Sequence, residues 1–65
     1  MLKITLRAAR VNADLLQIDA ANQLGISRYQ LMSWEKDPKQ IPVGMIEKIC
    51  RIYKISKDNI FFDIK

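Results

Sequence analysis

Apolar side chains recur along this chain at the spacing of a helix, in short stretches separated by turn-forming residues. The first stretch, roughly residues 5–12, turns Ile4, Leu6, Ala9 and Val11 inward and leaves Lys3, Arg7 and Arg10 as its charges, with Thr5 placed to cap it. Residues 12–14 read as a connection, in which Asp14 either caps the next helix one turn boundary early or leaves its end to fray. A second stretch, about 16–24, puts Ala20, Ala21 and Leu24 on one side together with Leu15, and a third turns Leu31 and Trp34 the same way. A fourth, about 43–53, carries Ile46, Ile49, Cys50 and Tyr53 at the i, i+3, i+4, i+7 positions of one buried stripe. Ile55 then packs inward, and Ser56 with Asp58 opens a short final helix over residues 59–62. The pattern predicts an all-α chain, a compact bundle of about five short helices. Because Ile60, Phe61 and Phe62 are consecutive, one helix face cannot bury them all. At least one is expected to be exposed, and the group either completes a small core or forms a homodimer contact.

Residues 15–35 organise the rest. Gly25 directly follows the last apolar-periodic residue of the second stretch, and a residue without Cβ leaves a helix through the left-handed region at little cost. Two residues later Ser27 opens a new helix with Gln30 at the reciprocal capping-box position. The connection is so short that the two helices must cross, which is a helix-turn-helix spanning about residues 16–35. With Leu31 and Trp34 facing the core, Arg28, Tyr29, Gln30 and Ser33 face outward. Arg forks onto guanine O6 and N7, Gln bridges adenine N6 and N7, Ser bonds a base edge or a phosphate, and Tyr packs on a thymine methyl or a sugar. From Arg28 to Ser33 the helix rises roughly 7.5 Å, a reach that suits a few base pairs.

Composition narrows the possibilities. At 65 residues the chain is read as one domain, 1–65, near the lower size limit for an unaided core. A net charge of +4 with pI near 9.5 favours polyanions without demanding them. One Cys and no His exclude an internal disulfide and a Cys/His zinc site, and remove the usual catalytic proton shuttle. Cys50, in phase with the buried stripe, reads as a small hydrophobe rather than a nucleophile. No Gly-rich phosphate loop or paired nucleophile and base is present, so an enzyme is not expected. Without an apolar run near membrane-spanning length, the protein is expected in the cytoplasm.

Leu6, Arg10, Leu15, Gln17, Ala21, Leu24, Gly25, Ser27, Leu31, Trp34 and Glu35, followed by Pro42, Ile46, Ile49, Cys50 and residues 55–62, resemble the lambda-repressor-like helix-turn-helix class, the Cro/C1-type or XRE-type regulators. The likeness spans nearly the whole chain. The runs ARVNADLLQIDAANQLGIS, SWEK, IEKICRIYKIS and DNIFF look most like regulators of phages and mobile elements in Gram-positive bacteria. The resemblance implies a lambda-repressor-like DNA-binding domain in which Arg10 pairs with Glu35, tying the first helix to the end of the recognition helix. It also implies that Gln17 holds a DNA phosphate, aided by the helix dipole, and that the closing region makes a dimer contact. The sequence departs from the family pattern where Leu16 replaces a capping Ser or Thr, and where Ile18 is apolar on an outward position. Asp37 stands where Gly is common, before Pro38, which pushes it toward extended geometry and reshapes a loop that is one residue longer than usual.

The expectation is a sequence-specific regulator of double-stranded DNA, a Cro/C1-type repressor bound to its operator as a homodimer. Gln17, Ser27, Lys36 and Lys39 would hold phosphates, Arg28, Tyr29, Gln30 and Ser33 would read bases, and Ile60, Phe61 and Phe62 would supply the dimer contact. No cofactor, small-molecule ligand or membrane partner is expected, and the protein would be nucleoid-associated when bound to DNA. The alternative is a protein-interaction module, such as an antitoxin or antirepressor, for which the apolar Ile18, Met32 and Phe62 speak.

Overall fold

The computed structural model describes residues 3–62, which form α1 (Leu6–Asn12), α2 (Gln17–Leu24), α3 (Arg28–Lys36) and α4 (Val43–Tyr53). Two 3₁₀ turns, Pro38–Gln40 and Lys57–Asn59, follow α3 and α4. No helix among these residues is long and apolar enough to cross a membrane. α1 and α3 start on hydroxyls: the Ala8 N–H donates to Thr5 Oγ1 and the Gln30 N–H to Ser27 Oγ, each at 3.0 Å. Only this forward half of the expected capping box forms, because the Gln30 side chain stays in solvent. Before α2, Leu16 offers no acceptor. Asp14 does not cap α2 either, since it sits in the left-handed region at φ +60°.

That conformation is part of a repeated device. α1, α2 and α4 each end on a left-handed residue: Asp14 at φ +60°, Gly25 at +74° and Lys54 at +56°. The next residue in each case is apolar, and its N–H reaches the carbonyl five positions back: Leu15 to Arg10, Ile26 to Ala21 and Ile55 to Cys50, at 3.2, 3.0 and 3.0 Å. Leu15, Ile26 and Ile55 all pack against the core. Each exit therefore bends the chain and returns an apolar side chain to the interior in one step. α3 leaves differently. Asp37 precedes Pro38 and sits at φ −140°, ψ 85°, away from the left-handed region, after which Pro38 is buried in its 3₁₀ turn and Ile41 enters the core.

The core lies where the four helices meet, with Leu6, Leu31 and Ile49 at zero exposure and Trp34 among them. Val11, expected inward, is 53% exposed. The buried stripe of α1 is Leu6, Ala9 and Arg10, and at about 100° per residue Val11 falls well off it.

The closing segment corrects the expected final helix. Ser56 opens only the 3₁₀ turn, accepting from the Asp58 N–H at 3.3 Å, and Ile60 is extended at φ −119°, ψ 137°. It pairs in parallel with Ile4: the Ile4 N–H donates to the Asn59 carbonyl and the Phe61 N–H to the Ile4 carbonyl, both at 2.9 Å. Extended backbone alternates its side chains, which resolves the three consecutive apolar residues. Ile60 is buried, Phe61 is 43% exposed and Phe62 packs partly against the core. Of the three expected dimer residues, Phe61 alone is exposed.

Candidate nucleic-acid interface

The outer face of α3 is held from both ends. At its start, Ser27 caps the helix. Near its end, Glu35 turns inward, and both of its oxygens are used: Arg10 Nε donates to Oε2 at 2.6 Å and Gln17 Nε2 to Oε1 at 3.0 Å. The Arg10 and Glu35 side chains retain only 9% and 7% of their exposure, and Arg10 Nη1 also donates to the Leu15 carbonyl at 2.8 Å. One carboxylate thus joins α1, the first turn of α2 and the last turn of α3. A buried pair of this kind fixes geometry more than it adds stability, since desolvation offsets much of the attraction.

Tyr53 lies within reach of this pair. Burial pushes its hydroxyl up to about 12, the Glu35 charge adds to the rise, and Arg10 opposes it. The buried oxygen has no hydrogen-bond partner. The fold therefore favours the neutral phenol. Stability from this preference is complete below the ordinary value of 10.0 and disappears as pH climbs to about 12, because the unfolded chain ionises first. The loss amounts to roughly 3 kcal/mol at about 1.4 kcal/mol per pH decade. Urea melts taken across this interval should show it, and Tyr53→Phe should abolish that component while costing little at neutral pH. An unchanged alkaline slope in Tyr53→Phe would assign the loss to other groups.

Arg28, Tyr29, Gln30 and Ser33 are all exposed, and Tyr29 retains 69% of its surface. The Arg28 guanidinium lies 5.2 Å from the centroid of the Tyr29 ring, with Nη2 3.4 Å from the phenolic oxygen. This contact orients the fork before any ligand arrives. Ser27 Oγ accepts the cap bond yet keeps its O–H free to donate. Gln17 likewise commits one amide hydrogen to Glu35 and retains the other. Lys36 ends α3, and Lys39 stands exposed on the following turn.

Not all these residues share one surface feature. A cleft of about 780 Å³ between α1, the start of α2 and α3 gathers Gln17, Tyr29, Ser33 and Lys36, whereas Arg28, Gln30, Ser27 and Lys39 lie outside it. Met32 and Arg7 also line it. Arg7 reads in the sequence as a plain surface charge. The signal that distinguishes it is its i, i+3 spacing from Arg10, which puts both on one face of α1. Elsewhere, Cys50 is half-buried and burial pushes its thiol up, with Lys57 drawing it partly back, so it is not activated as a nucleophile.

A family model described as helix-turn-helix matches residues 6–60. No curated protein and no solved structure matches the chain.

Proposed function

The chain belongs to the XRE, lambda-repressor-like helix-turn-helix family of DNA-binding transcription regulators, and from that premise we propose that it is a repressor that binds its operator as a dimer. In this reading residues 1–65 act as a single DNA-binding unit in the bacterial cytoplasm, at a phage or mobile-element switch. α3 enters the major groove, where Arg28, Tyr29, Gln30 and Ser33 meet base edges. Gln17, Ser27, Lys36 and Lys39 hold the flanking phosphates and so set the register. Two copies, touching through the exposed Phe61, reach half-sites about one helical turn, roughly 34 Å, apart. Repression follows from covering a promoter.

The observation that carries this reading is the outward polar face of α3, capped by Ser27 and tied by Glu35 to both Arg10 and Gln17. Such an arrangement presents reading side chains from a rigid element at a fixed angle. It is tested by fluorescence anisotropy on the neighbouring intergenic DNA, with unrelated duplex as competitor and a salt series. Specific binding should fall steeply with salt. Arg28→Ala should cost roughly 1–3 kcal/mol and relax the preference at one base pair. An equal loss on every operator variant would remove Arg28 from base reading.

A second reading, a protein-interaction module, is favoured by the exposure of Ile18 at 51% and Met32 at 45%. Phe62 lends it little, since it packs partly against the core. Weak binding that unrelated duplex displaces would favour this second reading.

A further inference from the structure

We infer that the cleft between α1 and α3 is a seat for a DNA phosphodiester, and that Arg7 is its anchor; this rests on the DNA-binding reading above and extends it to a residue that reading does not use. The charge in the cleft is unbalanced. Arg7, Arg10 and Lys36 line it against the single carboxylate of Glu35, a net of +2. Both Glu35 oxygens are occupied by Arg10 and Gln17 on the floor of the cleft. Among the described residues neither Arg7 nor Lys36 forms an ion pair. Two unpaired cations facing one concavity repel each other, and an anion between them relieves the repulsion.

The shape selects among anions. The cleft opens broadly to solvent, so it suits a length of polymer backbone better than an enclosed small ion. Its remaining lining is suited to a sugar-phosphate unit. Gln17 offers its free amide hydrogen to a phosphate oxygen. Met32 offers apolar surface to the deoxyribose beside it. This gives the exposure of Met32 a role that a purely base-reading face does not supply. Arg7 enters the cleft from α1 and Lys36 from α3, so that one backbone segment is gripped from two elements.

The test uses the whole chain and its operator DNA. Arg7→Ala should lower the slope of log affinity against log salt by about 1 and weaken all operator variants alike, by roughly tenfold near 0.1 M salt. Arg7→Lys should restore most of both. Arg51→Ala removes the same charge from the exposed side of α4, where it only faces Glu47 at 3.7 Å, and should leave the slope unchanged. Phosphate ethylation interference should lose one blocked phosphate per half-site in Arg7→Ala and none in Arg51→Ala. If Arg7→Ala matches Arg51→Ala on wild-type-competent DNA, the cleft is not a phosphate seat although the DNA-binding reading stands. If the wild-type chain shows no salt-dependent DNA binding, both fall together.

Discussion

Glu35→Ala is expected to cost the fold about 3–5 kcal/mol, the range found when one partner of a buried ion pair is removed. The reason is what it leaves behind. Arg10 is 7% exposed, and without the carboxylate its cation keeps only the Leu15 carbonyl, while Gln17 loses its acceptor. A domain of this length has a total stability of roughly 3–10 kcal/mol, so the variant should be largely unfolded or melt far below the wild type in a urea titration. Glu35→Gln keeps one acceptor oxygen and should lie between. Replacing both partners, Arg10→Met with Glu35→Leu, should recover much of the stability, since apolar packing often matches a buried pair. The same double variant should still bind DNA less well, because α3 would no longer be tied to α1 and α2. A Glu35→Ala loss below about 1 kcal/mol would mean that the pair behaves as a surface contact.

The second large effect concerns the closing segment. Ile60→Ala should destabilise the protein by about 2–5 kcal/mol, as for other fully enclosed aliphatic residues cut to Ala. For a chain of this size each kcal/mol moves the melting temperature by roughly 4–8 °C. Ile60 is 2% exposed within a single chain, so the loss should not depend on protein concentration. Phe61→Ala, at a side chain 43% exposed, should cost less than Ile60→Ala, about 1–2 kcal/mol, and under the proposed dimer should weaken DNA binding as well. A concentration-dependent loss for Ile60→Ala would return this residue to the interface between copies.

The contrast between these two sites shows what can be read locally. The Thr5 and Ser27 caps and the Gly25 exit are decided by neighbours within one turn and stand where the pattern places them, as does the stripe on α4, of which Ile49 and Tyr53 are buried and Ile46 and Cys50 half-buried. The outward position of Arg28 to Ser33 follows from Leu31 and Trp34 facing in, which is equally local. The exits at Asp14 and Lys54 were not legible, because neither is the glycine that normally marks a left-handed residue. Their signal is fainter: an apolar residue directly after the helix, whose burial outweighs the backbone cost. Ile60 lies further out of reach. Ser56 and Asp58 look like a helix start, and nothing within a turn of Ile60 announces a pairing with Ile4. Pro38 and Ile41 fall in a polar loop, and their burial follows only once Asp37 is turned away from the left-handed region by the proline. Arg7 was missed for a related reason, since its significance depends on what α3 places across the cleft.

The pairing of Ile4 with Ile60 also has a temporal meaning. Polypeptides are made from one end, and Ile4 leaves the ribosome long before its partner does. α3 can form in the nascent chain, and Arg10 can find Glu35, while the interior still lacks Ile60 and remains open on one side. Synthesis therefore reaches a state in which the four helices are present but the core is not yet closed. A product that stops short of Ile60 lacks this pairing, and its core is left without one of its enclosed side chains.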